Sequence, residues 1–466
     1  MIRPVTRRGR GLGSAGLAFS ALLLLGLCLA CQEDISQEEM AWTTSSEEAR
    51  DRFVEGFEAW SKAYHNDALR HFEAALELDP DFIMARLFLA FCQPLDHPER
   101  MARLEALAAE DLSRLNPRER FMVRYDLSRS GLLDQDPGQI LDQFLDDFPK
   151  DPFGQRTRCE VAWEEQDWEV AEGCYQDLLK LYPNMVDAQN RLGFIAMAQG
   201  RFSEAEEHFI NYRYLAPDQA LPYQSLGELL TVLGRYDEAD EALNRALELK
   251  GDFCEARRVR VKWRVFSGRL EEGRQLLEQM REDPSCAMYQ KFGFYCTMDA
   301  WIHFQSGDVE AAWEAMEGEC LESRHGFDLM AHRVALASGR LAESEAMEEA
   351  LHDYFELLST ADLPVLTAYY AAIQQHMEGT RLLWMGDAAA AAERFQAVDD
   401  RLGYWGGDRA GFKLFNRWNW MQALEALGKD ARVEALRHKI EAINPRYLED
   451  LLVPQLAPDH QDEEEP

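Results

Sequence analysis

Three ten-residue stretches govern the reading of this chain: GRFSEAEEHF (Gly200–Phe209), GRYDEADEAL (Gly234–Leu243) and GRLEEGRQLL (Gly268–Leu277). Each starts thirty-four residues after the one before. A glycine with an arginine beside it suggests a phosphate cradle, but such a cradle needs several free amides, usually from a longer glycine-rich loop after a strand. No comparable window here alternates like a strand. The simpler reading is a turn made three times, with a glycine in left-handed dihedrals closing one helix. The arginine then meets the carbonyl-rich helix end, and Glu204, Glu238 and Glu271 or Glu272 enter the first turn of the next helix, where negative charge is favoured.

Other residues keep the same step. Pro149, Pro183 and Pro217 are thirty-four apart, as are Ala171, Ala205 and Ala239, and Gly193 and Gly227 lie one step apart, with Cys159 in the slot before them. Between the markers, Tyr223, Leu226, Leu230 and Leu233 recur at three and four residues, the period of a half-buried helix. Each period is therefore helix, turn, helix, turn. An internal period of this length sets the architecture before any local propensity does.

The pattern resembles the tetratricopeptide repeat: a small residue in the first helix, GRYDEA at the turn, an alanine in the second helix and a closing proline. The resemblance implies an all-α, right-handed superhelical solenoid of antiparallel helix pairs. Gly193 against Ala205 lets two backbones approach, with Phe209 and Leu243 filling the space further along. The same spacing recurs in an isolated first unit through Gly56, Ala68, Phe72, Ala75 and Pro80, with Ser45 and Glu48 as a capping box at its start. The expected organisation is N-terminal repeat-like units over 45–151, a regular array over 152–284 and degenerate helical hairpins over 285–456. In the last part the turns drift, through Gly307, Gly339, Gly386 and Gly428. One continuous superhelix fits, and so do two arms meeting near 284–300.

Residues 1–31 are a different material, with Arg3, Arg7, Arg8 and Arg10 ahead of an apolar run ending at Ala30-Cys31. This is a secretory layout. It resembles a bacterial lipoprotein signal, which implies acylation of Cys31 and, with Gln32 next, sorting to the outer membrane, facing the periplasm. An uncleaved anchor and cleavage without lipidation are the alternatives. Residues 32–44 read as a polar tether and 457–466 as an acidic disordered tail.

The net charge is −35, and removing the four arginines with residues 1–31 takes it to −39. Such a field disfavours nucleic acid and anionic lipid surfaces. No metal, nucleotide or nucleophile motif is present, so neither an enzyme nor a cofactor is expected. His208, His303 and His376 read as solvated or satisfied rings. Beyond Cys31 the seven cysteines are odd in number; Cys159 and Cys174 are close enough for a bridge, but small apolar packing is the favoured reading.

Repeats of this family bind partners along the concave face of their first helices. In register on that face fall Arg156, Asn190, Gln224 and Arg258, with Phe194 one turn on from Asn190. Such a ladder suits the carbonyls of an extended protein or peptide partner. The alternative ligand is a glycan or other small molecule on Trp384, Trp405, Trp418 and Trp420, aromatics gathered near a glycine-rich connection.

Overall fold

The computed structural model describes residues 42–451 apart from 94–97, 288, 290–292, 323–325, 327, 361–363 and 405. Cys31, the rest of the N-terminal segment, Trp405 and the acidic tail lie outside the described residues. From Thr43 onward the described residues belong to one compact unit, and among them there is no strand.

The helices come in antiparallel pairs: α1 (Glu47–Ser61) with α2 (His65–Leu78), α3 (Ile83–Phe91) with α4 (Pro98–Ala108), and α5 (Pro117–Arg129) with α6 (Pro137–Asp147). The regular array follows as α7 (Pro152–Glu164) with α8 (Trp168–Leu181), α9 (Val186–Ala198) with α10 (Phe202–Leu215), and α11 (Leu221–Val232) with α12 (Tyr236–Leu249). Next comes α13 (Cys254–Phe266) with α14 (Leu270–Glu282). Four further pairs run from Phe294–Gln305 with Val309–Met316 to Gly406–Ala426 with Asp430–Glu441. One apolar core is continuous from Val261 and Leu277 across to Tyr295 and Trp301, so the solenoid is not divided near 284–300.

What sets the pairing is a small residue facing a large one sixteen positions later. A Cβ on Gly193 would lie 2.5 Å from Phe209 Cε1, and one on Gly227 would lie 2.7 Å from Leu243 Cγ. Gly56 meets Phe72 at 2.7 Å and Gly379 meets Phe395 at 2.9 Å. The degenerate C-terminal half therefore keeps the same internal contact although its turns drift. After α12 the small residue changes sides: Val261 holds the glycine slot, and a Cβ on Gly273 would sit 2.9 Å from Val265 Cγ2.

The turns are built as expected, with φ of 76°, 72° and 74° at Gly200, Gly234 and Gly268. The amides of Arg201, Arg235 and Arg269 each return to a carbonyl five residues earlier, at 2.8 to 2.9 Å, the closing bond of a Schellman cap. The side chains add what the sequence did not show. Arg201 reaches Glu172 on the previous repeat at 2.6 Å, and Arg235 reaches Glu206 at 2.7 Å and Glu238 at 2.6 Å. The arginine of the turn staples one repeat to the next.

Two expectations are corrected. The capping residue of α1 is Ser46, which accepts from Ala49 N. Ser45 is committed elsewhere: its amide and hydroxyl, with Thr44 Oγ1, donate to the Asp79 carboxylate at 2.5 to 3.1 Å. The ordered chain thus begins before residue 45, since Thr43 also donates from N and Oγ1 to Glu119 at 2.6 and 2.5 Å.

The second correction concerns cysteine. Cys159 and Cys174 form a disulfide across α7 and α8 with Cα atoms 5.4 Å apart, and Cys254–Cys286 and Cys296–Cys320 are bonded likewise. The packing reading failed because Cys159 occupies the close-approach slot, where the facing helix comes within disulfide reach. Cys92 stays a thiol, and burial pushes it up to about 12. Alkylation of the denatured, unreduced protein is therefore expected to leave these six cysteines unlabelled and to modify Cys92, as read by peptide mass. Cys159→Ala/Cys174→Ala should lose about 3 kcal/mol of stability in urea unfolding. Labelling of all seven without reductant would exclude the bridges.

Candidate functional site

The inner helices do bring Arg156, Asn190, Gln224 and Arg258 onto successive repeats, but not as an open ladder. Arg156 Nε pairs with Asp187 of the next repeat at 2.9 Å and lies 3.7 Å from Glu160. Gln224 is buried and donates to Glu228 at 2.8 Å. Arg258 pairs with Glu255 at 3.1 Å and with Asp408 at 3.3 Å. Phe194 is half-buried, edge-on to Phe209 with centroids 5.0 Å apart. Asn190 is half-buried, and its Oδ1 is enclosed without a hydrogen-bond partner.

The reason is long-range. The chain's own C-terminal repeat closes onto the array and covers the α11 and α13 half of the face. Tyr404 N donates to Ala198 O at 3.1 Å at the end of α9, and its ring stands edge-on to Phe202 at 5.3 Å. Gly407 N donates to Glu228 Oε1 at 2.6 Å, an approach that a Cβ 2.9 Å from Glu228 Cγ would obstruct. Asp408, at the start of the helix Gly406–Ala426, contacts both Arg258 and Lys262. Beyond it, Asn444 packs on the Gly234 turn and donates to Tyr236 Oη at 3.3 Å.

Buried charge fixes the strap that makes this approach. Lys413 Nζ donates to the carbonyls of Asp399 and Leu402, and Arg417 pairs with Asp399 at 2.7 Å. The two lysine bonds satisfy carbonyls at the C-terminal end of the helix Ala388–Arg401, which the same-helix ladder cannot reach. Leu402, Gly403 and Tyr404 are thereby aimed at α9.

At the opposite edge of the array the turn between α1 and α2 docks. Tyr64 Oη accepts from Ala220 N at 2.9 Å, Asp67 pairs with Lys250 at 3.0 Å, and Asn66 Nδ2 donates to Ser285 O at 2.9 Å. Both ends of the described chain therefore seat on turns that the thirty-four-residue step lines up.

The aromatic alternative is placed less favourably. Trp420 is buried in the C-terminal core, Trp418 lies half-buried against Phe415 at 5.6 Å and under Arg333 at 5.0 Å, and Trp384 is half-buried at the end of its own helix. His376 is a core ring: it bonds Asn416 Oδ1 at 2.9 Å, and burial pushes it down to about 3. His208 bonds Gln189 at 2.8 Å, and burial likewise lowers it. Among the described residues no three His, Cys, Asp or Glu side chains gather as a metal site, and no helix is long and apolar enough to cross a membrane.

Family models described as tetratricopeptide repeats match residues 160–220 and 221–253. Residues 160–253 are tetratricopeptide repeats. Over 139 residues the chain is 25% identical to the human cell division cycle protein 16 homolog, a match taking in 28% of this chain and 22% of that protein's length. Among solved structures, a tetratricopeptide repeat protein from Parabacteroides merdae aligns with 12% identity and a TM-score of 0.35, over 65% of this chain and 99% of that one. Yeast Tom70 aligns with 16% identity and a TM-score of 0.39, over 66% and 67%.

The closure of the C-terminal repeat onto the array carries its own titration. Burial and the Arg258 guanidinium push Lys262 down to about 7. The Glu228 and Glu255 carboxylates oppose this shift without cancelling it. The folded chain therefore gives up the Lys262 proton around pH 7, whereas in the unfolded chain a lysine holds it up to about 10.4. Between these values the unfolded state binds the extra proton, so this group adds stability as pH goes from 7 towards 10. Lys262→Met is expected to remove up to about 1.4 kcal/mol per pH unit of that rise relative to wild type in urea unfolding. Parallel pH profiles for the two proteins would show that Lys262 does not titrate in this window.

Proposed function

We propose that the chain is a non-catalytic scaffold of the bacterial cell envelope that holds a protein or peptide partner on the inner face of α7 and α9. The observation that carries this is the half of the repeat face left uncovered by the C-terminal closure. There Arg156 and Asp187 keep 26% and 36% of their side-chain surface in solvent, beside the half-buried Asn190. An extended backbone offers N–H groups for Asp187 and carbonyls for Arg156 and the Asn190 amide, while Phe194 gives an apolar contact. Gln224 and Arg258 are left out of this face because the chain itself engages them.

The tether and the compartment belong to the same reading. Residues 1–31 have the layout of a lipoprotein signal with Cys31 as the acylated residue, which places the scaffold at the outer membrane, facing the periplasm. Three disulfides suit an oxidising compartment, and the strong negative charge suits a protein partner rather than nucleic acid.

Two measurements check this. A photo-crosslinking amino acid at position 190, in cells producing the full chain, is expected to yield one discrete adduct that Arg156→Glu reduces at least about tenfold. An adduct pattern indifferent to Arg156 would remove the face from consideration. Metabolic labelling with a fatty acid should mark the wild-type chain and not Cys31→Ala; an unlabelled wild type would rule out the lipid anchor.

A further inference from the structure

Closure of the C-terminal repeat does more than cover polar rungs. Between α11, α13, the helices Phe294–Gln305 and Leu329–Ala337, and Gly406–Ala426, the chain bounds a cavity of about 610 Å³. This is the size of a site for one organic molecule of moderate mass. Aromatic rings dominate its wall, among them Trp263, Phe266, Trp301, Tyr369, Phe412 and Phe415. Solvent reaches it beside Asp408, whose side chain is 59% exposed, while Arg333 on its wall is 1% exposed.

The charged groups on that wall are engaged within the chain, Arg258 and Lys262 by carboxylates and Arg333 by neutral groups. Asp408 serves Arg258 and Lys262, Glu255 takes Arg258 and the Tyr289 hydroxyl, and Glu228 takes Gln224 and the Gly407 amide. Asp328 caps the helix Leu329–Ala337 through the amides of Met330 and Ala331. Arg333 donates to Asn419 at 2.8 Å and lies over the Phe415 ring at 5.4 Å. A charged ligand would have to displace one of these arrangements, whereas an uncharged one would not.

The space is left open from the side of the C-terminal helix. Gly411 faces it bare, for a Cβ there would meet nothing within 4 Å. We infer that this cavity is a binding site for an uncharged, largely aromatic small molecule that stacks on the rings of its wall. The site is separate from the α7–α9 face and stands whether or not that face holds a protein.

Nile red, which is neutral, aromatic and carries a carbonyl, is a suitable probe for the purified full chain. Saturable binding of one dye per chain is expected. Gly411→Phe, which fills the space from a helical position, should weaken it at least about tenfold without lowering the melting temperature. Thr297→Trp, on the facing helix, should do the same and serves if the first variant folds poorly. Non-saturable partitioning, or filled variants that bind like wild type, would overturn the site.

Discussion

A phenyl ring lying where a side chain would otherwise begin is the contact on which this structure depends. Phe209 fits against Gly193 so closely that even a Cβ would intrude, and the same geometry pairs Phe72 with Gly56 and Phe395 with Gly379. Interiors are packed to crystal-like density, so a pair of helices that must meet this closely has little freedom in spacing or rotation. Repeating the pair repeats the rotation. The turns between helices then fall into line along the two edges of the array, and the inner helices share one curved face. Both ends of the described chain exploit these lines, Tyr64 and Asn66 on one edge and Tyr404 and Asn444 on the other.

This explains which features were legible in the sequence. Anything obeying the thirty-four-residue step could be read, because one local contact dictates it: the helix pairs, the left-handed glycines and the register of Arg156, Asn190, Gln224 and Arg258. Interactions between partners far apart in sequence leave no periodic trace. Arg258 and Asp408 are 150 residues apart, and nothing in either stretch selects the other. From the sequence the ladder reads as open rungs, whereas Arg156, Gln224 and Arg258 each have a partner within the chain. The Cys159–Cys174 bridge lay between these cases. Its residues were visible in the close-approach slot, but only the helix separation decides between bonding and packing.

The Gly-Arg turn shows how one motif can carry several loads. Its glycine ends a helix and its arginine holds the previous repeat through Glu172 or Glu206. Solvent-exposed ion pairs of this kind contribute little singly, about 0–1 kcal/mol. Their value here is positional, since they repeat at one place on each repeat and so bias the angle between neighbours. The bareness of the turn matters as well: the Gly200 turn passes beneath Tyr404 and the Gly234 turn beneath Asn444, and a larger residue at either would hold the C-terminal repeat away.

Closure also redistributes what the inner face can do. An open solenoid offers a long polar groove suited to an extended chain, with each rung in water and each contact weak. Docking Gly406–Ala426 across α11 and α13 shortens that groove to the α7–α9 half and converts the remainder into a walled, aromatic space. In the walled part the local dielectric falls, so charges must be matched internally, as Asp408, Arg258 and Lys262 are. What remains for an outside molecule is shape and aromatic surface. One repeat face thus has two chemically distinct ends, a polar one open to a polypeptide and an apolar one fitted to something small, and Asp408 stands at the boundary between them.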